Sequence, residues 1–416
     1  MTPAARLQMA IEILDGLEKT TQPADRFLKS WFRTRRFAGS KDRRAIAETV
    51  FGVQRRRASL AHRMGDEAPR ALVIASLVEE GADIAALFVG GGYGPAPLSD
   101  TEQQAIATPV RPAPRWVTGE YPQWLDAELR RAFSDRLPEE MAAFIGRAPT
   151  DIRVNTLKAT RDAVIAALTA DGLTCAPTAY APHGIRIAGE AGNLSQTPLF
   201  ESGAFEFQDE AAQIAAHLCN AKPQQRILDL AAGAGGKSLA FAAAMNNSGE
   251  IVACDMRGEA LFELEKRAAR AGVTIIKSIV LEDGPLDRHQ PSGLFDAVFV
   301  DAPCSGTGTW RRQPELRWRM SPARLAVLAQ TQDKLLDQAA SLVTPGGHLF
   351  YATCSILPVE NQDRAAAFLA RHSGFAPVNL AENWGSNPPP GLGKDFRASP
   401  RRTGTDGFYC AGFRNG

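Results

Sequence analysis

Cys304 and Cys354 sit in the two segments of this chain whose residue types suit covalent chemistry, DAPCSGTG and YATCS. Each follows an apolar run that reads as a β-strand, over 297–301 and 348–353. Both thiols therefore leave the carboxyl ends of strands, where an open parallel sheet binds its ligands. A purely structural cysteine would more naturally sit inside a strand. A thiolate is a good nucleophile and a good leaving group once its pKa is lowered locally. That combination suits addition to a substrate followed by elimination. Asp301 closes the first of the two strands and adds a carboxylate to the same edge.

The other four cysteines, Cys175, Cys219, Cys254 and Cys410, form no C-x-x-C pair with any neighbour. Zinc and thioredoxin-like chemistry are thus disfavoured, and no metal site is expected. With 416 residues, two or three domains are expected. Lys plus Arg total 47 against 46 for Asp plus Glu, a net charge of +1, so any nucleic-acid contact must come from local clusters. No apolar run is long enough for a membrane span, and the first residues lack the apolar core of a signal peptide. A cytoplasmic protein is expected, with a monomer as the default.

A second region capable of binding chemistry precedes the cysteines. After a strand at 226–230 comes Asp229-Leu230-Ala231-Ala232-Gly233-Ala234-Gly235-Gly236-Lys237. Glycines in such a turn let a ligand approach the backbone and the N–H groups that open the next helix. A P-loop would need glycine where Ala231 stands, and a dinucleotide fingerprint would need it where Ser238 stands, so both patterns fail. The next strand, 250–255, ends in Asp255, an acid placed to accept from two ribose hydroxyls. The third, 274–281, leads to Asp283, which could accept from an adenine amino group. Acids at consecutive strand ends beside a glycine turn point to an adenosine-bearing ligand.

Strands alternate with helices at 237–245, 258–271 and 322–342, which predicts a mostly parallel, doubly wound α/β sheet. Upstream, a strand at 152–157, a helix at 161–171 and a strand at 184–188 form a small α/β unit. Further upstream the pattern is helical: a first helix interrupted at Pro23, then 41–60, 69–86 and 123–145. Within it Lys29, Arg33, Arg35, Arg36, Arg43, Arg44, Arg55, Arg56 and Arg57 interleave with Trp31, Phe32 and Phe37. Basic residues alternating with aromatics suit phosphate contact and base stacking. The alternative is a solvated helix face over an aromatic core. Breaker clusters at 90–97 and 109–114 mark a linker.

The stretch 205–416 resembles the RsmB/Nol/Nop/Sun family of RNA cytosine-C5 methyltransferases. The resemblance rests on DLAAGAGGK, DAPCSGTGTWRRQPELRWR, TPGGHLFYATCSILPVEN and DGFYCAGF, with RVNTLK and FQDEAAQ ahead of them. The basic helical N-terminus looks similar to the NusB-like RNA-binding domain of the RsmB branch. The resemblance implies a Rossmann-like, class I S-adenosylmethionine-dependent methyltransferase domain over 204–416. Ahead of it would lie a small α/β RNA-binding subdomain at 116–203 and an all-α NusB-like domain at 1–115. It implies that Cys354 is the nucleophile, that Cys304 assists release of the methylated base, and that Asp301 contacts the cytosine edge and the cofactor. S-adenosylmethionine would lie along Ala231, Ala232, Gly233, Ala234, Gly235, Gly236 and Lys237, with Asp255 and Asp283. The substrate implied is RNA, ribosomal RNA first and transfer RNA second.

Two departures and three alternatives follow. The family turn often reads C-A-A-P-G-G-K, and here Ala231, Gly233 and Ala234 replace its cysteine, alanine and proline; Ala260 replaces a frequent arginine. In DNA cytosine methyltransferases the Pro-Cys thiol attacks, which would make Cys304 the nucleophile. A catalytically silent RNA-binding assembly factor and a nicotinamide oxidoreductase are the remaining readings. The intact cysteines argue against the former, and the missing fingerprint against the latter.

Overall fold

The computed structural model describes residues 1–189, 192–281 and 291–416. The chain forms two compact units: Met1–Arg147 together with Trp310–Met320, and Ala148–Thr309 together with Ser321–Gly416.

The first unit is helical. Its opening helix, Pro3–Glu18, is started by the Thr2 side chain, which accepts the Ala5 N–H, and by proline in its first turn. Ile13, Leu14 and Leu17 project from that helix into a core with Ile46, Val50, Val53, Leu60 and Ile74. The helix expected over 41–60 is two helices, Ser40–Arg55 and Arg57–Met64. Arg56 leaves helical geometry between them and turns its guanidinium onto Glu79 and Ser76. The helix expected over 123–145 is also broken, into Asp126–Phe133 and Leu137–Ala143. Ser134 stands at φ +50° and Pro138 has no N–H to continue a ladder, so local backbone chemistry overrides the apolar periodicity.

An arm from the C-terminal half of the sequence completes this unit. Trp310 is fully buried and packs edge-on against Phe144, with centroids 5.8 Å apart. Arg317 is fully buried as well, donating to the carbonyls of Arg55 and Phe144 and lying 4.7 Å from the Trp310 ring centre. Glu315 accepts the Ala24 N–H at 2.9 Å. Burial of Glu120, relieved by its hydrogen bonds to Ser59 and Ala58, pushes its carboxyl up to about 7.

The second unit holds two sheets. The smaller comprises β1 (Thr150–Val154), β2 (Cys175–Pro177), β3 (Gly184–Ile187) and β4 (Phe205–Phe207), in the antiparallel order β2-β3-β1-β4. The helix Arg161–Ala170 packs on it through Val164 and Leu168.

The larger sheet comprises β5 (Arg226–Leu230), β6 (Glu250–Asp255), β7 (Ile276–Val280), β8 (Phe295–Asp301), β9 (Val343–Thr353), β10 (Phe375–Val378), β11 (Asp395–Ala398) and β12 (Phe408–Asn415). Its order is β10-β12-β9-β8-β5-β6-β7, with β11 beside β12. The strands from β7 to β9 are parallel, whereas β10, β11 and β12 are antiparallel additions at one edge. Ile227, Leu228, Val298, Phe299 and Val300 are completely buried, as expected for strands covered on both faces. Leu239 and Leu261 line one face, from helices Gly236–Ala244 and Gly258–Ala271. Leu336 and Phe368 line the other, from Pro322–Ala340 and Gln362–Arg371. The order of strands reverses between β5 and β8, so a crevice opens at their carboxyl ends.

Candidate active site

The glycine turn leaves β5 with positive φ at Ala231, Gly233 and Gly235. Ala231 stands at φ +66° and Gly235 at φ +76°. A side chain at Gly235 would lie 2.4 Å from Leu264 Cγ, so only glycine lets this turn meet the helix behind it. Ala231 holds left-handed geometry without that freedom, a strain of roughly 1–2 kcal/mol. Strain of this kind persists where surrounding structure fixes it, as at ligand-binding turns. Beneath the turn, Asp229 is fully buried and accepts from Ser238 Oγ at 2.5 Å, while its other oxygen has no partner. Burial, opposed in part by Ser238 and Lys237, pushes its carboxyl up to about 6.

At the end of β6, Asp255 accepts the Gly233 N–H at 2.8 Å and both the backbone and guanidinium of Arg257. Burial works against the charge on Asp255, yet these donors hold its carboxyl below the usual range. The Arg257 side chain is 71% exposed, so it can swing away and leave the carboxylate to two ribose hydroxyls. This donor set fits an adenosyl group. Asp283 lies outside the described residues.

Lys237, in the first turn of the next helix, pairs with Asp301 at the end of β8. Burial disfavours the ammonium, but the Asp301 carboxylate raises its pKa above the ordinary value, and Cys354 adds to the effect. The expected residues Lys237, Asp301, Cys304 and Cys354 are thus brought to one edge of the sheet.

The cysteines meet there. Cys304 Sγ and Cys354 Sγ are 3.4 Å apart and both side chains are partly exposed. The Cys304 thiol is pushed well above its ordinary range by its hydrogen bond with Cys354, by burial and by the charges of Cys354 and, last, Glu360. Gly308 donates to the Cys354 carbonyl at 2.9 Å and accepts from the Gly407 N–H at 2.8 Å, pinning three loops together. By contrast, Cys219, Cys254 and Cys410 are buried core thiols, all pushed upward chiefly by burial. Among the described residues, no cluster of three or more His, Cys, Asp or Glu could hold a metal.

Sequence reasoning passed over Glu360, Asn361 and Gln332. Glu360 is fully buried and accepts from the Ser305 N–H at 2.8 Å, the Ser305 hydroxyl, the Ser355 hydroxyl at 2.5 Å and Gln332 at 3.1 Å. Asn361 accepts from the Thr353 hydroxyl and donates to the Ser355 carbonyl. The one available signal was an acid directly after an apolar run, in ILPVEN.

In the helical unit the basic cluster divides. Arg56 pairs with Glu79, Arg57 with Glu18, and Arg43 donates to the Ala38 carbonyl, so these three are structural. Arg55 donates to the Arg311 carbonyl and is half-buried. Lys29, Arg33, Arg36 and Arg44 are exposed, and beside them Phe37 is 70% exposed. Arg35 lies 3.7 Å from the centre of the Trp31 ring.

A doubly wound sheet with a glycine turn after β5 and a carboxylate ending β6 frames a site for an adenosine-bearing cofactor, and the family match makes this the S-adenosylmethionine-dependent methyltransferase class. The family described as 16S rRNA methyltransferase RsmB/F matches residues 216–414, and the RsmF/B-like ferredoxin-like domain matches 121–192. The chain belongs to this RsmB/F family. It is 34% identical to the probable ribosomal RNA small subunit methyltransferase B of Synechocystis, over 71% of this chain and 66% of that protein. It is 33% identical to ribosomal RNA small subunit methyltransferase B of Sodalis glossinidius, over 76% of this chain and 68% of that protein. The chain thus spans about two thirds of the length of these relatives. The crystal structure of PH0851 superposes with a TM-score of 0.80 at 26% identity, covering 99% of each chain. No helix among the described residues is long and apolar enough to cross a membrane.

Proposed function

We propose that this chain transfers a methyl group from S-adenosylmethionine to C5 of a cytosine in RNA, with 16S ribosomal RNA as its substrate. The names of its relatives support the substrate, and the pair of sulfurs at the sheet edge supports the chemistry. C5 of cytosine is a weak nucleophile until something adds at C6. The Cys354 thiolate adds there and makes C5 enamine-like. Bound along the turn 231–237, the cofactor supplies an electrophilic methyl group. The C5 proton then passes to water, which reaches these partly exposed thiols, and the Cys354–C6 bond breaks by β-elimination, returning the electron pair to sulfur. Cys304, 3.4 Å away and holding its proton, assists that release. Asp301 meets the cytosine edge, and its pairing with Lys237 fixes its orientation.

The observation that carries this reading is the 3.4 Å approach of two thiols with unlike surroundings. Cys304, held protonated chiefly by its hydrogen bond with Cys354 and by burial, is the poorer nucleophile, which leaves the attack to Cys354. In the same proposal, 1–115 and 116–203 bind RNA and 204–416 carries the chemistry. Bisulfite mapping of ribosomal and transfer RNA, from cells with and without the protein, tests it. Loss of one 5-methylcytosine in 16S RNA is expected. A change confined to transfer RNA would reassign the substrate, and no change would leave a silent assembly factor.

A further inference from the structure

The mechanism proposed above uses two thiols but does not explain what holds them at working distance or keeps them different. Each cysteine is followed by a serine, Ser305 and Ser355, and both serines turn inward. Their hydroxyls converge on one oxygen of Glu360, whose other oxygen takes the Ser305 N–H and Gln332 Nε2. Gln332 uses the same amide nitrogen to hold the Pro303 carbonyl at 3.0 Å, one residue before Cys304. Every one of these partners donates, which is the environment of an acceptor-only carboxylate.

We infer that Glu360 is a positioning residue, which ties the Cys304 and Cys354 loops together and decides which of the two sulfurs keeps the proton. It touches neither sulfur as a hydrogen-bond partner and acts through the serines and through its charge. A buried negative charge disfavours a second one nearby, and Glu360 lies against the Cys304 loop, taking both the N–H and the hydroxyl of Ser305 but only the hydroxyl of Ser355. The other groups facing the pair are the Lys237–Asp301 ion pair, Lys237 interacting with Cys354, and the Tyr351 phenol, which interacts with Cys304. Tyr351 donates its own proton to the Glu360 carbonyl at 2.5 Å, so the phenol is fixed by the same residue. Lys237 and its partner Asp301 face the pair from one side, and Glu360 opposes a negative charge at Cys304 from the other. Together they make an asymmetric pair out of two chemically identical side chains.

The inference rests on the proposed reaction for its meaning, but its test does not need that reaction. Pulse alkylation of the full chain with iodoacetamide across a pH series, read by mass spectrometry, reports each thiolate separately. In the unmodified protein Cys354 is alkylated at lower pH than Cys304; the reverse order would overturn the inference. In Glu360→Gln, Cys304 becomes reactive about one pH unit lower, which is about tenfold faster at a fixed pH on the rising limb. Ser355→Ala, which removes one donor and keeps the charge, leaves the Cys304 midpoint in place. A folded Glu360→Gln variant with normal S-adenosylmethionine affinity and an unmoved Cys304 midpoint would refute the idea. Should that variant not fold, the alkylation order in the unmodified protein still decides, since Cys304 reacting ahead of Cys354 overturns the inference. If the alkylation profile shifts as expected but RNA stays unmethylated, the failure belongs to the proposed reaction and not to Glu360.

Discussion

Cys304 Sγ lies 3.4 Å from Cys354 Sγ, on loops leaving the neighbouring parallel strands β8 and β9. At that distance one thiol can share its proton with the other, and neither can be altered without changing its partner's surroundings. Replacement of each cysteine by alanine therefore has a different expected outcome. Cys354→Ala abolishes methyl transfer while S-adenosylmethionine still binds. Cys304→Ala permits addition and stalls elimination, so protein accumulates covalently on RNA, visible as a slow band on a denaturing gel. An adduct that requires Cys304 instead of Cys354 would reverse the two roles.

The same closeness predicts sensitivity to peroxide. A thiolate attacking hydrogen peroxide yields a sulfenic acid and hydroxide, and the second thiol then displaces water to form a disulfide. Closing to a bond of about 2.05 Å needs a modest movement of two partly exposed side chains. Brief peroxide treatment is expected to remove activity and dithiothreitol to restore it, with a Cys304–Cys354 peptide cross-link by mass spectrometry. Irreversible loss without that cross-link would contradict the prediction.

Stability should fall as pH rises through the range set by Asp229. Its folded pKa, about 6, stands above the ordinary aspartate value because of burial, eased by Ser238. A raised carboxyl stabilises the folded state fully below its unfolded pKa and loses that contribution as pH climbs through the folded value. The difference corresponds to roughly 3 kcal/mol between about pH 4 and pH 7. Denaturant melts of Asp229→Asn against the unmodified chain should show a flatter profile across that window. Glu120, raised to about 7 by burial, adds a slope of the same sign and should survive in the variant.

Gly308→Ala is expected to be damaging out of proportion to its size. The added Cβ would sit 2.0 Å from the Gly407 carbonyl oxygen and 2.8 Å from that of Cys354. Relief requires the backbone of one loop to move, at a cost of roughly 1–3 kcal/mol. A thermal melt should show a lowered midpoint, and the Cys304–Cys354 cross-linking rate should fall with it. A variant with an unchanged melt and rate would show that this approach is not needed.

Much of the catalytic half could be read from the residues. The strands β5, β6 and β8 are short apolar runs with turn residues at both ends, and their local pattern suffices. Strands β2 and β4 escaped because each has three residues, too few to show alternation, and β2 ends in a proline. The edge strands escaped for another reason. β12 carries Gly412 where Leu380 and Phe350 press against the backbone, so what looks like a breaker is a close contact made by distant residues. Glu360 was illegible on the same grounds. An acid beyond a strand end reads as solvated, and only the folding of four separate segments around it makes it buried. The cysteines stood out because their signal is carried by immediate neighbours.

The arm Trp310–Met320 leaves the catalytic half just after Thr309 and returns at Ser321, yet its packing partners are Phe144, Arg55 and Ala24. A gene for the methyltransferase fold alone, begun near residue 148, would encode that arm without the surface that covers Trp310 and Arg317. A single cut near residue 148 would therefore not part the two units cleanly, since some of the helical unit's interior is encoded after Thr309.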